Sequence, residues 1–152
     1  MDWEDRSVES AELGVGATLK IRAIARIIDS FLIGIFTLYA MGLVNLDVGF
    51  NAGVLSVAIV MGYFVLMESY AGRTIGKMIL GLRTVGPDGG NPSLDMAFRR
   101  NIWYILGILP YLGGLAEVAA VIAVAVTISR SPTNTGWHDA FAGGTRVLPV
   151  RR

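Results

Sequence analysis

Cysteine is absent from this chain and histidine occurs once. No disulfide, thiolate metal ligand or lipidated cysteine is therefore possible, and one imidazole is too little for a zinc site. Charged residues make up 16% of the chain against 53% hydrophobic, and the net charge is +1. Nothing in that balance points to nucleic acid as a partner. A catalytic constellation is missing too. His138 and Asp139 are chain neighbours, but no nucleophile motif accompanies them, so neither an enzyme nor a cofactor is expected. Gly72 to Lys77 is superficially like a phosphate loop. Its Gly-x-x-x-Gly-Lys spacing is one residue short, and Met78 stands where Ser or Thr is required, which excludes that mode of nucleotide binding.

What the chain has instead is long apolar runs: Ile27 to Val44, Phe50 to Met67 and Ile102 to Ile128. Each has the length and low charge density that a bilayer core demands of a helix, and none alternates like a barrel strand. The short stretch Asn45 to Gly49 holds Asp47 and no basic residue. All thirteen Lys and Arg residues lie before Ile27, between Glu68 and Arg100, or after Ile128. The positive-inside rule puts all three groups in the cytoplasm. Ile102 to Ile128 must then go out and come back. As one helix it would measure about 40 Å against about 30 Å of hydrocarbon. Pro110, Gly113 and Gly114 supply a break near its middle. The arms are short, roughly 20 Å each, so a tilted or re-entrant hairpin is expected.

The expected fold is an all-α integral membrane protein with four membrane segments, the last two a short Pro/Gly-broken hairpin. Both termini are expected in the cytoplasm and the plasma membrane is the expected location. Residues 1–18, acidic and rich in Ser and Gly, read as a loose cytoplasmic tail, and residues 19–150 as one membrane domain. That acidic lead and the spans that follow make the first run a true helix rather than a signal sequence. Lys20 to Arg26 reads as its interfacial first turns. Thr74 to Val85 carries Ile75, Met78, Ile79 and Leu82 at helical spacing around Lys77, the pattern of a cytoplasmic interfacial amphipathic helix. Gly86 to Gly90 is a turn, with Asn91 a cap and Pro92 a first position for the next helix. Trp103, Tyr104 and Tyr111 are expected as interfacial anchors. The small residues Ala116, Ala119, Ala120 and Ala123, and Ala58 with Gly62, suit close helix packing, within a subunit or across a homodimer.

Few charges lie at membrane depth. Asp29 is inside the first span, with Arg22 and Arg26 on its own or an adjoining face. It is either a titrating or cation-binding carboxylate with Arg22 or Arg26 as counter-ion, or a boundary residue that pins its helix through an ion pair. Glu68 ends the second span. Glu117 stands alone in the last arm, either reaching the outer interface or facing a polar pocket shared with Asp29. Asp139 is expected to pair with Arg22, Arg73 or Arg83, drawing the C-terminal segment, His138 included, under the helices.

These residues also carry a likeness. Arg22-x-x-Ala25-x-x-Ile28-Asp29, Glu68 followed by Gly72-Arg73-Thr74-Ile75-Gly76-Lys77-Met78-Ile79-Leu80-Gly81-Leu82-Arg83, then Ser93, Ala97, Arg100, and finally His138-Asp139, Ala142-Gly143 and Thr145, resemble the RDD family of small membrane proteins over roughly residues 18 to 150. The Arg and two Asp of the family name match Arg22, Asp29 and Asp139. The ending departs from the family's His-Asp-x-x-Ala-Gly-Thr by an additional Gly144. The resemblance implies transport of an ion or small ligand, sodium/proton exchange included. Taken with the residues, the expected function is ion-coupled or ligand transport by a homodimer or larger assembly, with Na+ or H+ and membrane lipids as partners and Asp29, Glu68 and Glu117 as ion-binding candidates. The rival is a non-transporting accessory or scaffold subunit bound to another membrane protein.

Overall fold

The structure, a computed structural model, describes residues 15–44, 49–109 and 111–150. The tail up to residue 14, Asp47 and Pro110 lie outside the described residues. Gly16 and Ala17, at the end of the expected tail, are fixed: their N–H groups donate to the Thr133 and Val147 carbonyls at 2.9 and 2.7 Å.

Helix α1 (Leu19–Leu43) joins the basic turns and the first apolar run without a break, as expected, over 25 residues. Helix α2 is Phe50–Ala71. Three helices are long and apolar enough to cross a membrane: α1, α2 and α5 (Gly113–Arg130). Much of their apolar surface faces outward, with Phe31, Leu38, Leu115 and Ile122 all exposed, as lipid contact requires.

The loop between α2 and the third apolar run is less helical than its periodicity suggests. Helix α3 covers only Ile75–Ile79, and Leu82–Val85 is strand β1, antiparallel to β2 (Arg146–Pro149) with Leu82 opposite Pro149 and Val85 opposite Arg146. A helical pattern here loses to a pairing partner more than sixty residues away, which no local spacing reveals. Lys77, which stands between the apolar positions of that pattern, is buried. Helix α4 is Leu94–Asn101, capped by Ser93, whose hydroxyl accepts from the Met96 N–H at 3.2 Å. Asn91 is not its cap; it accepts from Arg83 Nη2 and donates to the Tyr70 carbonyl, each at 2.9 Å. A short helix, α6 (Trp137–Phe141), lies between α5 and β2.

The first arm of the expected hairpin is a seven-residue 3-10 helix, Ile102–Ile108. At about 2 Å per residue it is roughly 14 Å long, too short to span alone. It runs antiparallel along α2: Asn101 meets Glu68, Tyr104 stacks on Phe64 at 5.4 Å, Gly107 faces Val57, and Gly53 faces the Ile108 carbonyl. Helix α5 then returns to the end where α1 starts and α2 stops. Trp103 and Tyr104 are thereby wall residues inside the bundle, stacked at 4.0 Å, while Tyr111 is 99% exposed.

The charged ends of the helices close over a small core of Ala17, Ala25, Leu82 and Val147 beneath the β ribbon. Helix α3 packs so tightly on α1 that a Cβ on Gly76 would collide with the Ala25 carbonyl. Backbone cannot yield as a flexible side chain does, so Gly76→Ala is expected to cost about 2 kcal/mol and lower the melting temperature by roughly 4–8 °C in detergent. Gly34→Ala, which meets no neighbour, is the control and should leave it unchanged or slightly raised.

Candidate functional site

Helix ends bring five charged side chains into one buried row of alternating sign. Lys77 Nζ donates to Glu68 Oε1 at 2.5 Å. Glu68 Oε2 lies 3.3 Å from Arg100 Nε. Arg100 Nη1 donates to Asp139 Oδ1, and Asp139 Oδ2 accepts from Arg22 Nη2 at 2.8 Å. The row Lys77–Glu68–Arg100–Asp139–Arg22 thus ties α3, α2, α4, α6 and α1 together. All five side chains are buried, Glu68 and Asp139 completely. Neutral groups add further bonds to the row: Lys77 donates to Thr84 Oγ1 at 2.7 Å, Asn101 Nδ2 to Glu68 at 3.3 Å, the Gly136 N–H to Asp139 Oδ2 at 2.9 Å, and Arg22 Nη1 to the Asn134 carbonyl at 2.7 Å.

Burial holds the Lys77 ammonium down to about 8, against the opposing pull of Glu68. Asp139 sits well below the usual carboxylate range: burial pushes it up, but Arg100, His138 and Arg22 together overcome that. Burial drives His138 down to about 3, and Arg100 and Arg22 add to the effect. His138 is therefore neutral at pH 7. Its Nε2 lies 3.3 Å from Arg22 Nη2 and 3.5 Å from Asp139 Oδ1.

Asp29 belongs to a separate cluster. Its Oδ1 accepts from the Tyr63 hydroxyl and the Gly76 N–H, each at 2.7 Å, and its Oδ2 from the Thr74 hydroxyl at 2.5 Å. The Tyr63 hydroxyl in turn accepts from the Ile75 N–H at 3.1 Å. A carboxylate on α1 thus satisfies free N–H groups at the start of α3. Neither Arg22 nor Arg26 serves as its counter-ion, contrary to the expectation from their shared helix face. Side chains on a helix lean toward its N-terminus, so both arginines reach away from Asp29. Arg22 finds Asp139. The Arg26 guanidinium lies 4.1 Å above the Phe64 ring and 5.9 and 5.8 Å from Trp103 and Tyr104.

Between α1 and α5 is a cavity of about 120 Å³. Arg22, Arg26, Lys77, Arg100 and Asp29 face it from the polar side, and Ala23, Val121, Val124 and Ala125 from the apolar side. Glu117 is not part of it. That side chain lies against Gly107 of the 3-10 helix, so the pocket it was expected to share with Asp29 does not form among the described residues. Glu68, an ion-binding candidate by sequence, has its oxygens engaged by Lys77, Arg100 and Asn101. No group of three His, Asp or Glu able to hold a metal ion occurs among the described residues.

The RDD family model matches residues 17–143. The chain belongs to the RDD family. No curated protein and no solved structure matches it. In this RDD protein, Arg22 and Asp139 are direct partners, as the sequence suggested, while Arg73 and Arg83 are not involved in that pair. Arg100 is the member sequence reasoning left without a role; its place at the end of a short helix gave no sign of its partners. The extra Gly144 is absorbed by two successive left-handed residues, Gly143 at φ 86° and Gly144 at φ 90°. They turn the chain back so that Thr145 is fully buried and its hydroxyl accepts from Arg100 Nη1 at 2.8 Å.

The buried neutral imidazole sets a pH dependence. The unfolded chain takes up a proton at His138 near 6.5 and the folded chain only near 3, so stability is full above pH 6.5 and is lost as pH falls through that window. By pH 5 the loss should reach about 2 kcal/mol. Melting temperatures between pH 7.5 and 5 should fall for the native chain and fall less for His138→Gln.

Proposed function

We propose that this RDD protein is a four-crossing transporter with both termini in the cytoplasm, moving an ion or small ligand through the space between α1 and α5. The fourth crossing in this reading is the 3-10 arm, whose path beside α2 from Glu68 to Gly53 supports passage through the hydrocarbon under cover of α2 and α5. Irregular backbone at membrane depth requires such cover. Arg22 of the first basic group and Lys77 and Arg100 of the second meet at a single end, where Arg146 of the third lies on β2 opposite Val85, which supports a common cytoplasmic side. The α3 segment, though short, lies at that end with Ile75, Met78 and Ile79 exposed, as an interfacial helix would.

The observation that carries the transport reading is the cavity itself, a space between membrane-spanning helices with charged side chains on one side and an apolar wall on the other. Asp29 is assigned a holding role here, because its acceptor sites are occupied by neutral donors. The outward-facing Ala119 and Ala123 on α5 favour the rival accessory-subunit reading, since small residues suit contact with another helix.

Because the chain has no cysteine, single thiols report topology cleanly. Tyr111→Cys should react with a membrane-impermeant maleimide in intact cells and Asp88→Cys only after permeabilisation; cytoplasmic labelling of both would reduce the crossings to three. Function is read in proteoliposomes under opposed sodium and pH gradients. Ion movement above empty vesicles is expected, reduced roughly ten-fold or more by Ala125→Phe, which fills the cavity from its apolar wall. Absence of movement in the folded native chain would favour the accessory-subunit reading.

A further inference from the structure

Of the four cations that face the cavity, three are committed: Arg22 to Asp139, Lys77 to Glu68, and Arg100 to both carboxylates. Arg26 is not. No carboxylate oxygen among the described residues lies within ion-pair distance of it, and its hydrogen bonds are long ones to neutral oxygens, 3.4 and 3.5 Å to Asn101 Oδ1 and 3.4 Å to the Tyr104 hydroxyl. A guanidinium has five N–H donors in a fixed fork that matches phosphate. Three of those five donors are held only by these long bonds, and none of them meets an anion. On the same cavity wall Trp103, only 8% exposed, has its indole N–H buried without a partner. Arg22, Arg26, Lys77 and Arg100 also outnumber Asp29, Glu68 and Asp139 by one charge, and a half-buried cation without a counter-charge is costly.

The shape of the cavity narrows what could supply the missing charge. Its polar floor lies at the end of the bundle where the basic residues gather. The other wall is Val121, Val124 and Ala125 of α5 with Ala23 of α1, and Ala23 and Val121 are exposed on the outer surface of the helices. Below them α5 continues as an exposed apolar face through Val118 and Leu115. A cationic floor under an apolar, outward-facing wall complements a molecule with an anionic head and a hydrocarbon tail.

We propose that this cavity seats the phosphate headgroup of an anionic phospholipid from the cytoplasmic leaflet, with Arg26 as its principal ligand and Trp103 as a second donor. The inference concerns the same cavity as the proposed transport and names the class of ligand it takes. A volume of about 120 Å³ accommodates a phosphate group but not a whole lipid, so the acyl chains lie outside along α5.

The test uses the full chain in detergent, titrated with phosphatidylglycerol, phosphatidylcholine or inorganic phosphate, with retained adducts counted by native mass spectrometry and stability followed by thermal melting. Phosphatidylglycerol should give a retained adduct and raise the melting temperature, and phosphatidylcholine should do neither. Arg26→Gln should weaken phosphatidylglycerol binding roughly ten-fold or more while melting like the native chain in phosphatidylcholine. Ala125→Phe, which leaves Arg26 intact, should also abolish the adduct and stands in if Arg26→Gln fails to fold. Equal response to the two lipids, or unchanged binding by both variants, would overturn the proposal. Stabilisation by inorganic phosphate matching that by the lipid would overturn the lipid assignment in favour of a soluble anion. Lipid retention without any flux leaves this site standing and removes transport; flux without lipid preference does the reverse.

Discussion

The alternation Lys77–Glu68–Arg100–Asp139–Arg22 is the constraint on which the rest of the molecule depends. Taking any one of these charges out of water costs several kcal/mol, and only an opposite neighbour with its other valences satisfied offsets that. Each carboxylate here serves two cations, and Arg100 serves both carboxylates. The members come from α1, α2, α3, α4 and α6, so the row cannot assemble unless those elements meet at one level. Apolar helices in lipid have little hydrophobic reason to choose among neighbours. The row supplies the choice, and with it the register of the helix ends.

This division of labour explains what was legible in the sequence. Whether a segment can cross a bilayer depends on its own length and apolarity, so α1, α2 and α5 follow from local composition, and the gathering of basic groups at one end follows from loop charge. The Arg22–Asp139 pair was also within reach, because a lone acidic residue beyond the last span has few cations to choose from. Arg100 was not. Its two partners lie more than thirty residues away on either side, and the family likeness, which includes Arg100 but not Arg99, names no partner for it; Arg99 forms an exposed pair with Asp95 at 3.0 Å. The β ribbon was hidden for the same reason, since a four-residue strand exists only through its distant partner. Trp103 and Tyr104 were misplaced because aromatic residues near a span end suit either a headgroup belt or an inner wall, and the stacking of Tyr104 on Phe64 and of Trp103 on Tyr104 decides it.

The two clusters at the charged end of the bundle do different things. Asp29, with Tyr63, Thr74 and Gly76, holds α3 against α1 through neutral donors alone. The row beside it carries one more cation than anion even before Arg26 is counted. A site that must discriminate by charge would be built on the second cluster and braced by the first. In that arrangement the residue most easily singled out by its depth in the span is a brace, and the residue that faces the cavity uncommitted is the one sequence alone treats as a counter-ion.

The β ribbon and the Asp139 clasp also have a consequence for biogenesis. The segment carrying Asp139 and β2 follows α5 on the ribosome, whereas Arg22 lies at the start of α1. During synthesis the long helices can enter the bilayer by apolarity alone, with Arg22 and Arg100 still waiting for their carboxylate. Insertion and locking are thereby separated in time: hydropathy places the helices first, and the arrival of a short C-terminal segment then decides whether the inserted chain becomes a closed structure or stays open to quality control.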